Sequence, residues 1–276
     1  MRYVRPVAAL VYGTAWKEGD TARLVGLALR AGLRAFDTAN QRKHYVEAAV
    51  GDAIAGAIAA GVVRRESLWL QTKFTHVGGQ DNRLPYDPRA RVAEQVRQSF
   101  DSSLQHLGAD VLDSYLLHGP SVDQGLAPED WEAWTAMERL HAEGRVRAIG
   151  VSNVTLEQLE GLVSRAKVPP SVVQNRCYAS RGWDRAVRAA CRARGIAYQA
   201  FSLLTANRKQ LARPTLAAIA ARHGLTREQL VFRFALDAGM TPLTGTTDEG
   251  HMRLDLAAAQ APSLDAEELR SIESVG

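Results

Sequence analysis

Asp37, Lys73 and His118 each close a short apolar run: "RAFDTA", "LWLQTK" and "SYLLH". Tyr45 lies a little beyond Asp37, directly after His44. These side chains suit proton transfer at a carbonyl. A neutral phenol is a poor acid and a poor base near neutral pH, and an ammonium beside it would lower its pKa and make exchange feasible. A carboxylate next to that lysine keeps it charged. An imidazole at the same rim can donate a hydrogen bond to a carbonyl oxygen and orient it. Singly, each has a plainer explanation: a turn or cap aspartate, a satisfied polar histidine, a snorkelling lysine. Three such groups ending three successive apolar runs point to a site. Lysine is otherwise confined to Lys17, Lys43, Lys167 and Lys209, so Lys73 is less readily filler.

Short apolar runs alternate with amphipathic segments along the whole chain. The runs are at 6–13, 34–39, 68–73, 114–118, 147–153, 171–175, 196–202 and, more weakly, 240–245. Helical spacing puts Val46, Ala49, Val50, Ala53, Ala57 and Ile58 on one face of the second helix. It puts Val92, Val96, Phe100, Leu104 and Leu107 on one face of the third. "TLEQ" (Thr155 to Gln158) and "TREQ" (Thr226 to Gln229) have the capping-box pattern. "AGLRAF" and "RGIAY" read as glycine-terminated helices turning into strands. The spacing predicts repeated strand–helix units with no linker, so residues 1–276 are expected to form a single α/β domain, a (β/α)8 TIM barrel. A doubly wound open sheet is the alternative; no G-x-G-x-x-G follows the first strand to favour it. In a barrel the strand ends carry the chemistry, so Asp37, Lys73 and His118 fall on one rim.

Composition narrows the function further. The chain has 276 residues, 46% of them hydrophobic, and a net charge of +4. A sizeable core is available, and no basic block with interleaved aromatics suggests nucleic acid. No apolar run is long enough to span a bilayer, and "MRYVRPVAALVYGTAW" has no signal-peptide layout. Cys177 and Cys191 have neither a metal-ligand spacing nor a disulfide framework. The expectation is a cytoplasmic protein with a small-molecule partner and no metal, a monomer or weak homo-oligomer.

At these residues the sequence resembles the aldo-keto reductases. "GTAW" (13–16), "FDTA", "LQTKF", "LLHGP", "GRVRAIGVSN" (144–153), "VVQN", "AFSLL" and "PLTGTTDEGHM" (242–252) carry the resemblance over nearly the whole chain. It implies a barrel that binds a nicotinamide cofactor without a Rossmann motif. It also implies an Asp-Tyr-Lys-His tetrad, with Asp37, Lys73 and His118 as three members. Ser152, Asn153 and Gln174 would hold the nicotinamide carboxamide, and Phe201 would stack on its ring. Gly13 and Thr14 in the first loop, Ser202 and Leu204 after Phe201, and Gly245, Thr246, Thr247, His251 and Arg253 would complete the cofactor site. Trp16 and His76 would meet substrate, with the segment 74–87 and the loop after His118 setting specificity.

Two departures matter. The family's spacing counted forward from Asp37 lands on Arg42; counted backward from Glu47 and Gly51 it lands on His44. The "NQRK" loop is longer than usual, and Tyr45 comes just after it. Tyr45 is read as the proton donor at the start of the second helix, with His44 as the alternative and a site altered for another task as the third reading. In the cofactor loop, Gly245 stands where NADP-selective relatives often place a lysine, and His251 stands near their arginine. NADPH is expected, with NADH as the alternative. The chain ends soon after a helix beginning near Leu264, so an open pocket is expected. The implied activity is carbonyl reduction; a nicotinamide-binding regulatory protein, or a non-redox rearrangement or cyclisation on the same barrel, are the competing readings.

Overall fold

Helix boundaries follow local signals in the chain. Thr155 and Thr226 cap α5 (Leu156–Arg165) and α9 (Arg227–Asp237): each hydroxyl accepts from a glutamine N–H at 3.1 Å, and each glutamine side chain accepts from the threonine N–H at 3.0 Å. Gly32 and Gly195 adopt φ of 109° and 67° and end α1 (Thr21–Ala31) and α6 (Arg185–Arg194), a left-handed turn that glycine enters without a Cβ clash. A computed structural model describes residues 8–276. Pro6 and Val7 of the expected first strand, with the rest of the N-terminal stretch before them, lie outside the described residues.

The strands are β1 (Val11–Gly13), β2 (Ala35–Asp37), β3 (Trp69–Phe74), β4 (Leu112–Leu117), β5 (Val146–Ser152), β6 (Val172–Arg176), β7 (Ala197–Phe201) and β8 (Met240–Thr244). They pair in parallel, in sequence order, and close on themselves: β1 meets β2 through Tyr12↔Phe36 and β8 through Val11↔Leu243. That closure is the expected barrel and removes the open-sheet alternative. The remaining helices are α2 (Glu47–Ala59), α3 (Val92–Leu107), α4 (Pro128–Ala142), α7 (Arg208–Leu211), α8 (Pro214–Arg222), α10 (Glu249–Ala258) and α11 (Ala266–Glu273). Among the described residues no helix is long and apolar enough to cross a membrane. Both cysteines are free and buried.

Alternation along β3 organises the interior. Trp69 packs inside the barrel with Val11, Ala35, Ala148 and Leu243. Two residues on, Gln71 exchanges hydrogen bonds with Gln199 of β7; two further, Lys73 reaches Asp37. The interior therefore runs from an apolar plug to a polar layer to a charged pair at the C-terminal rim. Thr72 faces outward and donates to Glu47 of α2.

That contact corrects the expected face of α2. The buried residues are Glu47, Val50, Gly51 and Ile54, whereas Val46 and Ile58 are 41% and 38% exposed. Glu47 also pairs with His106 of α3 at 3.0 Å. Turning this carboxylate inward rotates the helix, and its alanine-rich surface offers little apolar contrast to resist. The α3 face is as expected: Val96, Phe100 and Leu107 are buried, and Val92 and Leu104 pack at its edge.

Gly51 lies where α2 crosses α3. A Cβ there would come within 2.9 Å of His106 C and Leu107 Cα, and closer still to His106 O. These are backbone atoms and cannot swing aside. Gly51→Ala is expected to destabilise the fold by about 3 kcal/mol, as overpacking against main chain does. Urea unfolding should show a lower midpoint with the same slope; an unchanged midpoint would mean that the two helices part freely here.

Candidate active site

β2 and β3 bring Asp37 and Lys73 together beneath the rim. Lys73, 1% exposed, donates to Asp37 Oδ1 and Oδ2 at 2.7 and 2.6 Å and to Thr38 O at 2.9 Å. Asp37 Oδ1 accepts further from Gln71 Nε2 at 2.7 Å and Gln174 Nε2 at 3.0 Å. A buried ion pair is tolerable only when its remaining polar valences are met, and here a glutamine layer meets them. Burial pulls the Lys73 pKa down, and the Asp37 charge opposes that fall.

The ring of Tyr45 stands over this pair. Lys73 Nζ is 5.4 Å from its centroid, and the His118 ring is 6.0 Å away in a T-shaped arrangement. All three ammonium protons are engaged elsewhere, so no hydrogen bond joins Lys73 to the phenol. The long loop that carries Tyr45 is pinned from outside it. Gln41 Nε2 donates to Gly79 O at 2.6 Å, Gln80 Nε2 to Asn40 O at 2.9 Å, Arg83 to Arg42 O at 2.8 Å, and Asn40 Nδ2 to Ser99 O at 3.0 Å.

Of the two residues reached by counting, Arg42 is exposed. His44 lies against the Trp16 indole with ring centroids 3.8 Å apart, its Nδ1 2.8 Å from Gln41 Oε1. Tyr45 alone sits between Lys73 and His118. It precedes the helix, because α2 starts at Glu47 after the N-cap Val46. The backbone N–H groups of both His44 and Tyr45 bond to Gln41 O in a turn. The sequence placed Tyr45 at the start of the second helix; the structure puts it in the turn before that helix.

A second expectation is also corrected. Burial raises the Tyr45 pKa, and the Asp37 carboxylate raises it further. The ammonium was expected to lower it, but Asp37 cancels most of that charge and desolvation then dominates. The same burial pushes His118 down to about 3, aided by Lys73 and His44. His44 is lowered too, by burial and then Lys43. Phenol and imidazoles are therefore neutral near neutral pH.

Asp37, His44, Tyr45 and His118 line an open cleft of about 1220 Å³. Trp16, 68% exposed, and His76 also line it. Its walls include Gly13, Ser152, Asn153, Gln174, Phe201, Ser202, Leu204, Gly245 and Thr246. Asn153 Nδ2 donates to His118 O at 2.8 Å, and Ser152 Oγ to Gln174 O at 2.6 Å. Trp16, Asn153 and Ser202 adopt φ of 61°, 55° and 58°, strained values for residues with a Cβ, gathered on the cleft wall.

Four expected cofactor residues do not line the cleft. Thr14 is buried, its hydroxyl donating to Asp37 O. Thr247 is exposed beyond the cleft. The His251 N–H is capped by Asp248, and Arg253 pairs with Glu249 one helical turn away. The cation on this wall is one that sequence reasoning passed over: Lys17 donates to Gly245 O and, among the described residues, has no acidic partner. A side chain at position 245 would meet it, since a Cβ there lies 3.7 Å from Nζ. The scarcity of lysine, already applied to Lys73, would have drawn attention to Lys17. Gln71 and Gln199 were also missed, although Gln71 precedes Lys73 by one strand period.

The model of the aldo/keto reductase family matches residues 9–276. Aldo-keto reductase AKR2E4 of Bombyx mori is 32% identical over 265 residues, covering 88% of this chain and 80% of the silkworm protein. Its crystal structure in complex with NADP superposes with a TM-score of 0.79 at 27% identity, over 97% of this chain and 88% of that one. Deoxymugineic acid synthase 1-D of Triticum aestivum is 32% identical over 278 residues, 93% of this chain and 83% of the wheat protein. An aldo/keto reductase from Brucella melitensis superposes with a TM-score of 0.80 at 28% identity, over 97% and 95% of the two chains.

Proposed function

The chain belongs to the aldo/keto reductase family, and from that membership we propose that it reduces an aldehyde or ketone to the alcohol with NADPH, Tyr45 giving the proton. The observation that carries this reading is the convergence of Tyr45, the Lys73–Asp37 pair and His118 beside a cleft far larger than a small carbonyl compound needs. The rest of the cleft fits a dinucleotide. Asn153 and Gln174 offer amides to a carboxamide, Phe201 offers a ring face, and Lys17 offers an ammonium with no acidic partner among the described residues. The NADP-bound silkworm relative supports the same choice. Bound there, the cofactor supplies the hydride.

The protein's own part is orientation and proton delivery. His118, neutral through burial, donates a hydrogen bond to the carbonyl oxygen. Tyr45 keeps its proton until negative charge develops on that oxygen, because its raised pKa holds the phenol neutral. An alkoxide is a stronger base than a phenolate, so the transfer runs forward even from this weak acid. Lys73, kept charged and aimed by Asp37, lends the phenolate left behind the part of its field that the carboxylate does not cancel. Cleft water returns the proton to Tyr45.

NADPH oxidation with a panel of aldehydes and ketones tests the reading. Turnover with several of them is the expected result. Tight NADPH binding with no turnover would favour a nicotinamide-binding regulatory protein.

NADPH is expected to bind more tightly than NADH, by about tenfold, the value of one partly screened charge contact of roughly 1–2 kcal/mol. Lys17→Met should remove most of the difference. Fluorescence titration of both cofactors against both proteins measures it; equal wild-type affinities would show that no group here reads the extra phosphate.

A further inference from the structure

His118 has two ring nitrogens, and among the described residues only one has a protein partner: Nδ1 lies 2.7 Å from Thr75 Oγ1. We infer that Thr75 donates this hydrogen bond and so fixes His118 as the tautomer with its proton on Nε2, the nitrogen left for the cleft. Thr75 is then a positioning residue for the carbonyl-orienting step. Its catalytic meaning rests on the reduction proposed above; the tautomer does not.

The argument is one of hydrogen-bond accounting. A neutral imidazole carries one proton on one of its two nitrogens. If Nδ1 carried it, Nδ1 would donate to Thr75, and the hydroxyl hydrogen would need an acceptor of its own. Thr75 is 6% exposed, and its hydroxyl has no other partner among the described residues. That arrangement leaves the hydroxyl hydrogen with no acceptor among the described residues, which is unfavourable. If Thr75 donates instead, one bond satisfies both its hydrogen and the Nδ1 lone pair. The proton then sits on Nε2, in a ring that lines the cleft. Burial and the neighbouring charges keep the ring neutral, so the choice between nitrogens is real.

The surroundings hold both partners still. The His118 backbone N–H donates to Phe74 O at 2.8 Å, and its backbone carbonyl accepts from Asn153 Nδ2 at 2.8 Å. The Thr75 carbonyl accepts from the buried Tyr86 hydroxyl at 2.6 Å. Gly79 packs beneath the Thr75 methyl: a Cβ at position 79 would lie 2.7 Å from Thr75 Cγ2. Gly79 is in turn held through its carbonyl by Gln41. The glycine leaves the room in which Thr75 keeps its hydroxyl on the imidazole.

The test uses Thr75→Val, which keeps the shape and removes the hydroxyl, and Thr75→Ser, which restores it. Histidine-labelled ¹⁵N NMR reads the tautomer of His118 directly, and His118→Ala assigns the signal. The wild type and Thr75→Ser should show the Nε2–H form; Thr75→Val should show a mixture of forms. In carbonyl reduction kcat should fall about tenfold in Thr75→Val, with NADPH affinity unchanged, and Thr75→Ser should recover most of it, since indirect loss of a positioned donor costs less than the ~10²–10³-fold of direct removal. A merely structural role for Thr75 would move neither tautomer nor kcat alone. An Nδ1–H signal in the wild type overturns the inference, whether or not Thr75→Val folds. So does a Thr75→Val protein with wild-type turnover. If the tautomer behaves as expected but no form of the protein reduces carbonyls, the tautomer lock stands and the reductase reading falls.

Discussion

Lys73→Met is expected to lower carbonyl reduction by about 10²–10⁴-fold, the range for losing a group that supports an acid in the transition state. Cofactor affinity should stay within a few-fold of wild type. The geometry separates these effects. Lys73 Nζ bonds Asp37 and Thr38 O and lies 5.4 Å from the Tyr45 ring centroid, buried behind the residues that line the cleft. Removing the ammonium leaves the Asp37 charge without its counter-ion. It also leaves nothing to stabilise a phenolate above it. Asp37 still accepts from Gln71 and Gln174, and the variant Asp37→Asn/Lys73→Met removes the stranded charge altogether. Single-turnover kinetics and a binding titration on both variants measure the outcome. Near-normal turnover in either would sink the assignment of the proton-delivery machinery.

Tyr45→Phe is the second large effect: reduction should fall below detection, by at least about 10³-fold, for loss of the general acid itself. His44→Ala should keep a measurable fraction. His44 stacks on Trp16 in the cleft lining and is held there by Gln41, so its removal loosens the pocket wall and leaves Tyr45 in place. The sign of the electrostatics agrees. His44 is pushed down by burial and Lys43, so near neutral pH it has no imidazolium proton to give. The phenol is pushed up by burial and Asp37 and stays protonated across the ordinary pH range. With His118 neutral above about 3, neither group should impose an inflection on kcat between roughly pH 5 and 8, where an unperturbed histidine would titrate. A dead His44→Ala beside a live Tyr45→Phe would reverse the assignment.

The unequal legibility of the site has a physical basis. Asp37, Lys73 and His118 could be placed because each ends a strand whose alternation is visible locally, and a parallel barrel puts strand ends on one rim. Helix ends at Thr155, Thr226, Gly32 and Gly195 could be placed because capping chemistry acts over a few residues. The face of α2 could not. A buried Glu47 outweighs a weak apolar pattern once Thr72 and His106 are there to receive it.

The amino-acid sequence by itself determined the barrel and three members of the constellation, since side-chain periodicity and backbone preference are properties of neighbouring residues. Only the tertiary structure decided which of Arg42, His44 and Tyr45 faces Lys73. That loop has no period of its own, and Gly79, Gln80, Arg83 and Ser99 pin it from other segments. Tertiary structure likewise brought Lys17 to Gly245, across the join of the first and last strands. It also set the direction of the Tyr45 shift, because a pKa answers to total burial and to every nearby charge, and the carboxylate that holds Lys73 in place also offsets its field.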